Sequence, residues 1–237
     1  GGSGRIADDP TTGHIDDFAT WVADLKAIWP VWRDATPGPH ILMGHSMGGH
    51  LALRAVAEGA VDPDAFVLIA PMLGFPTSVF PVGLVAGLVR LAARIWPQRK
   101  AWPDNERPAP PQVSRQFFLT HDADRYADEQ FWRDTVPELV LGPPSLGWLS
   151  AAYASTIYVA NAARLEKVTQ PGLIVGTDGD RLVSPVAIRK VASMLPNARI
   201  KMFGEEAAHE ILREVDAVRD ETLALIDGFL DEVAPAR

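Results

Sequence analysis

The stretch ILMGHSMGGHLALRAV, at positions 41–56, restricts the fold of this chain more than any other. An apolar run leads into Gly44-His45-Ser46-Met47-Gly48, and a helical pattern follows. The segment predicts a strand, a tight turn and a helix, with Ser46 between glycines. Such a turn can hold a serine hydroxyl clear of a sheet, at the positive end of a helix. The alternative is a glycine-rich turn that contains a serine by chance.

Strand and helix patterns alternate on both sides of a long central segment. Continuous apolar runs at 39–45, 64–73 and 171–176 predict strands that are buried on both faces, as parallel strands are, and 198–205 predicts another strand. Helical periodicity or capping signals predict helices at 14–32, 50–59, 184–195 and 214–233. This alternation predicts an α/β protein with a mostly parallel sheet.

Residues 73–168 differ from the rest, because prolines are frequent, tryptophans cluster and the helical pieces look short. We interpret this segment as a cap inserted between two parts of the core, residues 1–72 and residues 169–237. Its longest helical pattern, within 79–96, puts Leu84, Leu88 and Leu91 on one face and two arginines, Arg90 and Arg94, elsewhere. The pattern predicts either a lid that touches acyl chains or a membrane surface, or a helix packed over the core. Three tryptophans line an acyl pocket or are simply buried: Trp102, Trp132 and Trp148.

Composition argues against several classes of protein. The 237 residues are 47% hydrophobic and 22% charged, as in ordinary globular proteins. The formal net charge of −8, without a basic stripe, argues against a nucleic-acid partner. The absence of cysteine excludes disulfides and a cysteine nucleophile, and fits a reducing compartment. No run of about 18 uncharged apolar residues suggests a spanning helix, and no cluster of potential ligands has metal spacing, so we predict no metal.

A serine nucleophile needs a histidine base and an orienting carboxylate, which occur in the order serine, acid, histidine in sheets of this kind. His209 follows a predicted strand, where such a base should lie, whereas His121 lies in the insertion. Asp178 and Asp180 both follow the strand at 171–176, and both qualify as the acid. The remaining histidines, His14, His40, His45 and His50, are interpreted as structural, packing or hydrogen-bonding residues.

Motifs spread along the chain resemble the lysophospholipase L2 and monoacylglycerol lipase group of α/β-hydrolases, of the serine aminopeptidase S33 type. They are GHIDDFATWVADL, GHSMGGHLAL, LIAPML, FFLTHDADRY, GPPSLGWL, GTDGDRLVSP and AAHEILREVDAVRDETLALIDGF. The resemblance implies an α/β-hydrolase fold with helices on both faces of the sheet and an inserted helical cap. It also implies a triad of Ser46, Asp180 and His209, with the Met47 N–H in the oxyanion hole and no cofactor.

The resemblance implies a serine esterase that acts on lipid monoesters such as lysophospholipids or monoacylglycerols through an acyl-enzyme. It would work in the cytoplasm or at the inner membrane face, with the cap as a peripheral membrane contact. Two alternatives stay open. One is other chemistry on the same triad, as in a lactonase, a C–C hydrolase or a haloperoxidase-like enzyme. The other is an inactive relative that only binds, and nothing in the sequence indicates an oligomeric state.

The resemblance also predicts that strands are missing before residue 1. In the family, GGSG lies after the fourth strand, so we expect GGSGR to be native sequence and the strand before Ser46 to be an open sheet edge. The family's second oxyanion donor comes from a His-Gly loop, which this sequence lacks before Ser46. Loss of one donor can cost about 10²–10³-fold in turnover. We therefore expect these 237 residues alone to be weakly active or poorly soluble.

Overall fold

The structure is a computed structural model that describes residues 9, 12–76, 80–102, 115–137 and 140–235. The GGSG segment and most of the proline-rich stretch after Trp102 lie outside these residues. Within them, four strands form one sheet: β1 (Ile41–His45), β2 (Ala65–Ile69), β3 (Gly172–Thr177) and β4 (Ala198–Phe203). The strand order is β1-β2-β3-β4 and every pairing is parallel, which confirms the predicted sheet. In the described sheet, β1 is an edge strand.

Helices cover both faces of this sheet, as predicted. The helices that alternate with the strands are α1 (Ala19–Ala35), α2 (Met47–Ala57), α8 (Pro185–Ala192) and α9 (Asp216–Val233). Side chains of β2 point alternately to the two sides, so that Phe66 and Leu68 join one apolar core while Val67 and Ile69 join the other. Burial on both faces explains the continuously apolar patterns of β2 and β3. The same expectation was wrong for β1, where Met43 is 46% exposed.

Five helices lie between β2 and β3 in the described residues: α3 (Val82–Ile95), α4 (Gln116–Leu119), α5 (Ala123–Thr135), α6 (Leu146–Val159) and α7 (Ala162–Leu165). The expectation of short helical pieces was wrong for α3, α5 and α6, which have 14, 13 and 14 residues. The reason is that prolines flank these helices and do not interrupt them, at positions 81, 97, 137, 143 and 144.

The helices of this segment differ in how they pack. Ala152 and Val159 of α6 belong to the main core, at 0% and 1% exposure. In contrast, α3 packs against α6 but buries no residue, and its three leucines at positions 84, 88 and 91 are 52%, 61% and 58% exposed. No helix in the described part of the chain has both the length and the hydrophobicity to cross a bilayer. Helix α6 shares the main core, although it lies within the predicted insertion. The cap boundaries at 73 and 168 stay a prediction.

Candidate active site

Ser46 occupies a sharp turn between β1 and α2. Its backbone has φ 51° and ψ −118°, a conformation that residues other than glycine rarely adopt. The turn brings Gly44 so close to Gly48 that a Cβ on Gly44 would lie 2.6 Å from the Gly48 carbonyl carbon and oxygen. Gly44 is therefore required by a close backbone approach, whereas a Cβ on Gly48 would meet nothing within 4 Å.

Replacement of Gly44 by alanine tests this packing. The new methyl group meets backbone atoms that cannot rotate away, so we expect the free energy of unfolding to fall by about 3 kcal/mol. The matched variant Gly48→Ala adds the same methyl group to open space and a helix, where we expect no loss of stability. Urea denaturation of both variants is the measurement. Equal stabilities would contradict the proposed role of Gly44.

Three polar side chains meet at the carboxyl end of the sheet. The Ser46 hydroxyl lies 2.9 Å from Nε2 of His209, and Nδ1 of His209 lies 2.7 Å from Oδ2 of Asp180. Because a carboxylate only accepts, Nδ1 carries the proton and leaves Nε2 free to accept from the serine. The other oxygen of Asp180 accepts the N–H groups of Leu182 and Val183, at 2.8 and 2.9 Å. The chain of hydrogen bonds is thus anchored to backbone at its acidic end.

The topology explains why residues distant in sequence come together. Ser46 directly follows β1, Asp180 lies in the loop after β3, and His209 lies in the loop after β4. Because the strands are parallel, these three connections start at the same edge of the sheet. The Thr177 hydroxyl at the end of β3 links two of these loops. It lies 2.7 and 2.8 Å from the carbonyl oxygens of Gly204 and Ala207, in the loop that leads to the histidine.

Of the two candidate acids, Asp180 contacts the histidine and Asp178 does not. Asp180 is 6% exposed, and its side chain is fully buried beside the His209 ring. The Asp178 carboxylate instead pairs with Arg189 at 2.5 Å, and both side chains of this pair are 49% exposed. Asp178 therefore belongs to a surface ion pair.

Two further histidines flank the serine turn, and neither belongs to the Ser46–His209–Asp180 chain. Nε2 of His45 lies 3.2 Å from the His209 carbonyl oxygen, and the two rings are 4.9 Å apart. Although the residue as a whole is exposed, desolvation of its ring, together with repulsion from a charged His209, lowers the pKa of His45 from 6.5 to about 4. His45 is thus neutral at pH 7, and its Nε2–H donates to the backbone of His209.

His50 is fully buried one turn into α2. Its Nε2 lies 2.6 Å from the Ser155 hydroxyl, which also accepts from Arg54 at 2.8 Å, so the hydroxyl proton points to His50. Burial, together with the positive charge of Arg54, lowers the pKa of His50 from its ordinary 6.5 to about 3. His50 is a neutral hydrogen-bonding residue, in line with its interpretation as a packing residue.

The depressed pKa of His50 predicts a loss of stability in acid. Between about pH 6.5 and pH 4, His50 binds a proton in the unfolded chain but not in the folded state. The free energy of unfolding therefore falls as the pH falls. One such proton contributes about 1.4 kcal/mol per pH unit. We expect His50→Gln to reduce the slope of unfolding free energy against pH by about this amount, measured by urea denaturation at several pH values. Ser155→Ala, which keeps the ionisable ring, should retain the wild-type slope.

Sequence reasoning missed Glu214, a fully buried carboxylate that accepts from the N–H of Ala208, next to His209. The glutamate in the stretch LREVD carries no sequence signal of burial, and one of its partners, His121, is 93 positions away. Of the tryptophans expected to line a pocket or to be buried, Trp132 differs, because it is 50% exposed. Trp148 packs edge-on against Phe18. No group of three or more potential metal ligands is found among the residues described.

Comparisons with known proteins find relatives by sequence and by fold. Lysophospholipase L2 of Escherichia coli K12 is 26% identical over 249 residues, which cover 100% of this chain and 71% of the relative. A soluble variant of monoglyceride lipase from Saccharomyces cerevisiae, solved with a substrate analog, aligns with a TM-score of 0.75 at 17% identity, covering 100% and 76% of the two chains. Monoacylglycerol lipase from Paleococcus ferrophilus aligns with a TM-score of 0.67 at 18% identity, covering 92% and 77%.

The two structural alignments show the fold, an α/β-hydrolase with its parallel sheet and flanking helices. The family is shown by a separate comparison with protein-family models. The model described as serine aminopeptidase, S33 matches residues 1–216, and the chain therefore belongs to this family of hydrolases.

Proposed function

We propose that the protein is a carboxylic ester hydrolase that acts on lipid monoesters, lysophospholipids or monoacylglycerols, with Ser46, His209 and Asp180 as its catalytic triad. The observation that carries the proposal is the unbroken chain of hydrogen bonds from the Ser46 hydroxyl to a buried carboxylate. The names of its relatives, a lysophospholipase and two monoglyceride lipases, support the ester and the lipid.

In the proposed reaction, Ser46 Oγ attacks the ester carbonyl while His209 Nε2 takes the hydroxyl proton. Asp180 holds the ring in the tautomer with a proton on Nδ1 and stabilises the imidazolium that forms. The imidazolium then donates its proton to the leaving alcohol, and an acyl-enzyme remains. Water, deprotonated by the same nitrogen, releases the acid. Met47 is the first residue of α2, and we assign its N–H to the developing oxyanion.

An apolar groove beside the site is our candidate for the acyl chain. It has a volume of about 270 Å³ and lies between α6, α8 and the residues that follow β2. Leu73, Phe75 and Val186 are among its lining residues. Its lining residue Leu73 directly follows Met72, whose N–H donates to the Ser46 carbonyl oxygen at 2.9 Å. We therefore assign the scissile carbonyl to Ser46 and the hydrocarbon chain to this groove.

The exposed face of α3 is our candidate for contact with a lipid surface. Its apolar side carries Leu84, Leu88 and Leu91, and the helix adds two cations, Arg90 and Arg94, to a chain of net charge −8. Exposed leucines with nearby arginines suit an anionic bilayer. Co-sedimentation with anionic vesicles should therefore exceed that with neutral ones, and fall in Leu88→Ser. Equal recovery in the supernatant with and without vesicles would end this part of the proposal.

A substrate panel tests the reaction class. We expect the protein to release fatty acid from monoacylglycerol and lysophospholipid. We expect little hydrolysis of lactones and little halide-dependent oxidation. Preference for a lactone would favour the alternative chemistry on the same three residues. Failure of a fluorophosphonate probe to modify Ser46 in the folded protein would remove the enzyme proposal altogether.

A further inference from the structure

Residues 118–125 of the cap are hydrogen-bonded to the loop that carries His209. The Glu210 N–H donates to the Leu119 carbonyl oxygen at 2.8 Å. The Thr120 hydroxyl donates to the Arg213 carbonyl oxygen at 2.7 Å. This segment contains the sequence LTHDADR, which the proposed chemistry does not use. Its role must therefore come from what it touches.

Glu214 is the centre of this attachment. Its carboxylate is fully buried and accepts from the N–H of Ala208 at 2.7 Å, directly before His209. It also accepts from the N–H of His121, at 3.1 and 3.2 Å to its two oxygens, and from Nδ1 of the His121 ring at 2.9 Å. A fourth donor, the N–H of Val215, lies at 3.2 Å. A buried carboxylate is tolerated here because donors surround it.

Charged side chains strengthen the same junction from outside. The Arg125 guanidinium donates to the Glu214 carbonyl oxygen and pairs with Asp216. Arg213 pairs with Glu210 at 2.6 Å and reaches Glu129 of α5 at 3.3 Å. These ion pairs therefore tie α5 to the histidine loop.

We propose that Glu214 is a positioning residue for His209. His121 braces the histidine loop against the cap through this carboxylate, and Thr120 does so through the Arg213 carbonyl oxygen. The carboxylate fixes the backbone at Ala208, and this sets where the next residue directs its ring. The inference rests on the proposed role of His209 as the base. The LTHDADR segment would then keep Nε2 of His209 within hydrogen-bond distance of Ser46.

The test is the rate at which a fluorophosphonate modifies Ser46 in Glu214→Gln. The amide keeps the shape but turns an NH₂ group toward N–H donors, so the loop shifts. A misplacement of about 1 Å can cost about 10²-fold in rate, and we expect a loss of that order. The downfield proton resonance of the His209–Asp180 hydrogen bond should move or broaden. The matched control is Glu221→Gln, which removes the same charge from an exposed pair with Lys201 and should react at the wild-type rate.

Two outer variants decide the matter if Glu214→Gln does not fold. Thr120→Val and His121→Ala each remove one brace and leave the carboxylate in place. Each should lower the labelling rate about fivefold, the factor for one hydrogen bond of typical net strength. A folded Glu214→Gln protein, or a folded double variant at positions 120 and 121, with the wild-type rate and resonance would overturn the inference. Absence of labelling in the wild type would instead overturn the proposed function on which it rests.

Discussion

Ester hydrolysis is expected to fall by about 10⁶-fold when Ser46 is replaced by alanine, the loss typical of removing the nucleophile of a serine hydrolase. The expectation follows from the geometry of the turn, which points one hydroxyl at Nε2 of His209. Without that oxygen no acyl-enzyme can form. The measurement is turnover of a monoacylglycerol, together with covalent labelling by a fluorophosphonate probe.

Ser193→Ala is the control for this experiment, because Ser193 is exposed and its hydroxyl donates to the Lys190 carbonyl oxygen. It should label and turn over like the wild type. Substantial hydrolysis by Ser46→Ala at unchanged stability would show that another group attacks the ester. The reaction class would then have to be assigned again.

Asp180→Asn is expected to lower turnover by about 10⁴-fold while the protein stays folded. An amide at this position can donate to Nδ1, which favours the tautomer with the proton on Nε2. That tautomer cannot accept the serine proton. The amide also lacks the negative charge that stabilises the imidazolium. The comparison is made from turnover rates at saturating substrate, with thermal unfolding of each variant as a measure of folding.

The matched change, Asp178→Asn, alters the same side chain two positions earlier. Because the Asp178 carboxylate pairs with Arg189 on the surface, we expect turnover to stay within about twofold of the wild type. The two aspartates could not be separated from spacing alone. If Asp178→Asn shows the larger loss, the acid of the proposed triad is misassigned.

The sheet was predictable because its strands carry their signal locally. The strands around Leu68 and Ile174 have no exposed face, so their residues are continuously apolar. Helical patterns follow the turn at Ser46 and the N-cap residue Ser184. Residues 73–168 were less predictable, because their many prolines mark helix boundaries, whereas the sequence pattern indicated short helices. The exposed face of α3 could be read as a pattern, but the sequence left open whether α3 would pack on the core.

The candidate site was predictable to the level of single residues only where a motif marked them. Ser46 and His209 were singled out by their positions after strands, and the resemblance chose Asp180 over its neighbour. Glu214 gave no such sign, because its burial depends on donors from His121 and Ala208 that only the folded chain brings to it. Contacts between distant segments, rather than local periodicity, therefore define the support around the site.

The positive φ of Ser46 sets function against durability at a single position. Ala70, at the end of the neighbouring strand, has φ 41°, so two adjacent strand ends hold unfavourable backbone angles. Such angles cost about 1–3 kcal/mol each. Laboratory evolution for heat resistance alone would reward glycine at position 46, offset in part by the greater freedom of glycine in the unfolded chain. The most heat-stable variants would then lack the nucleophile Ser46. Any such screen must therefore select for turnover as well as stability.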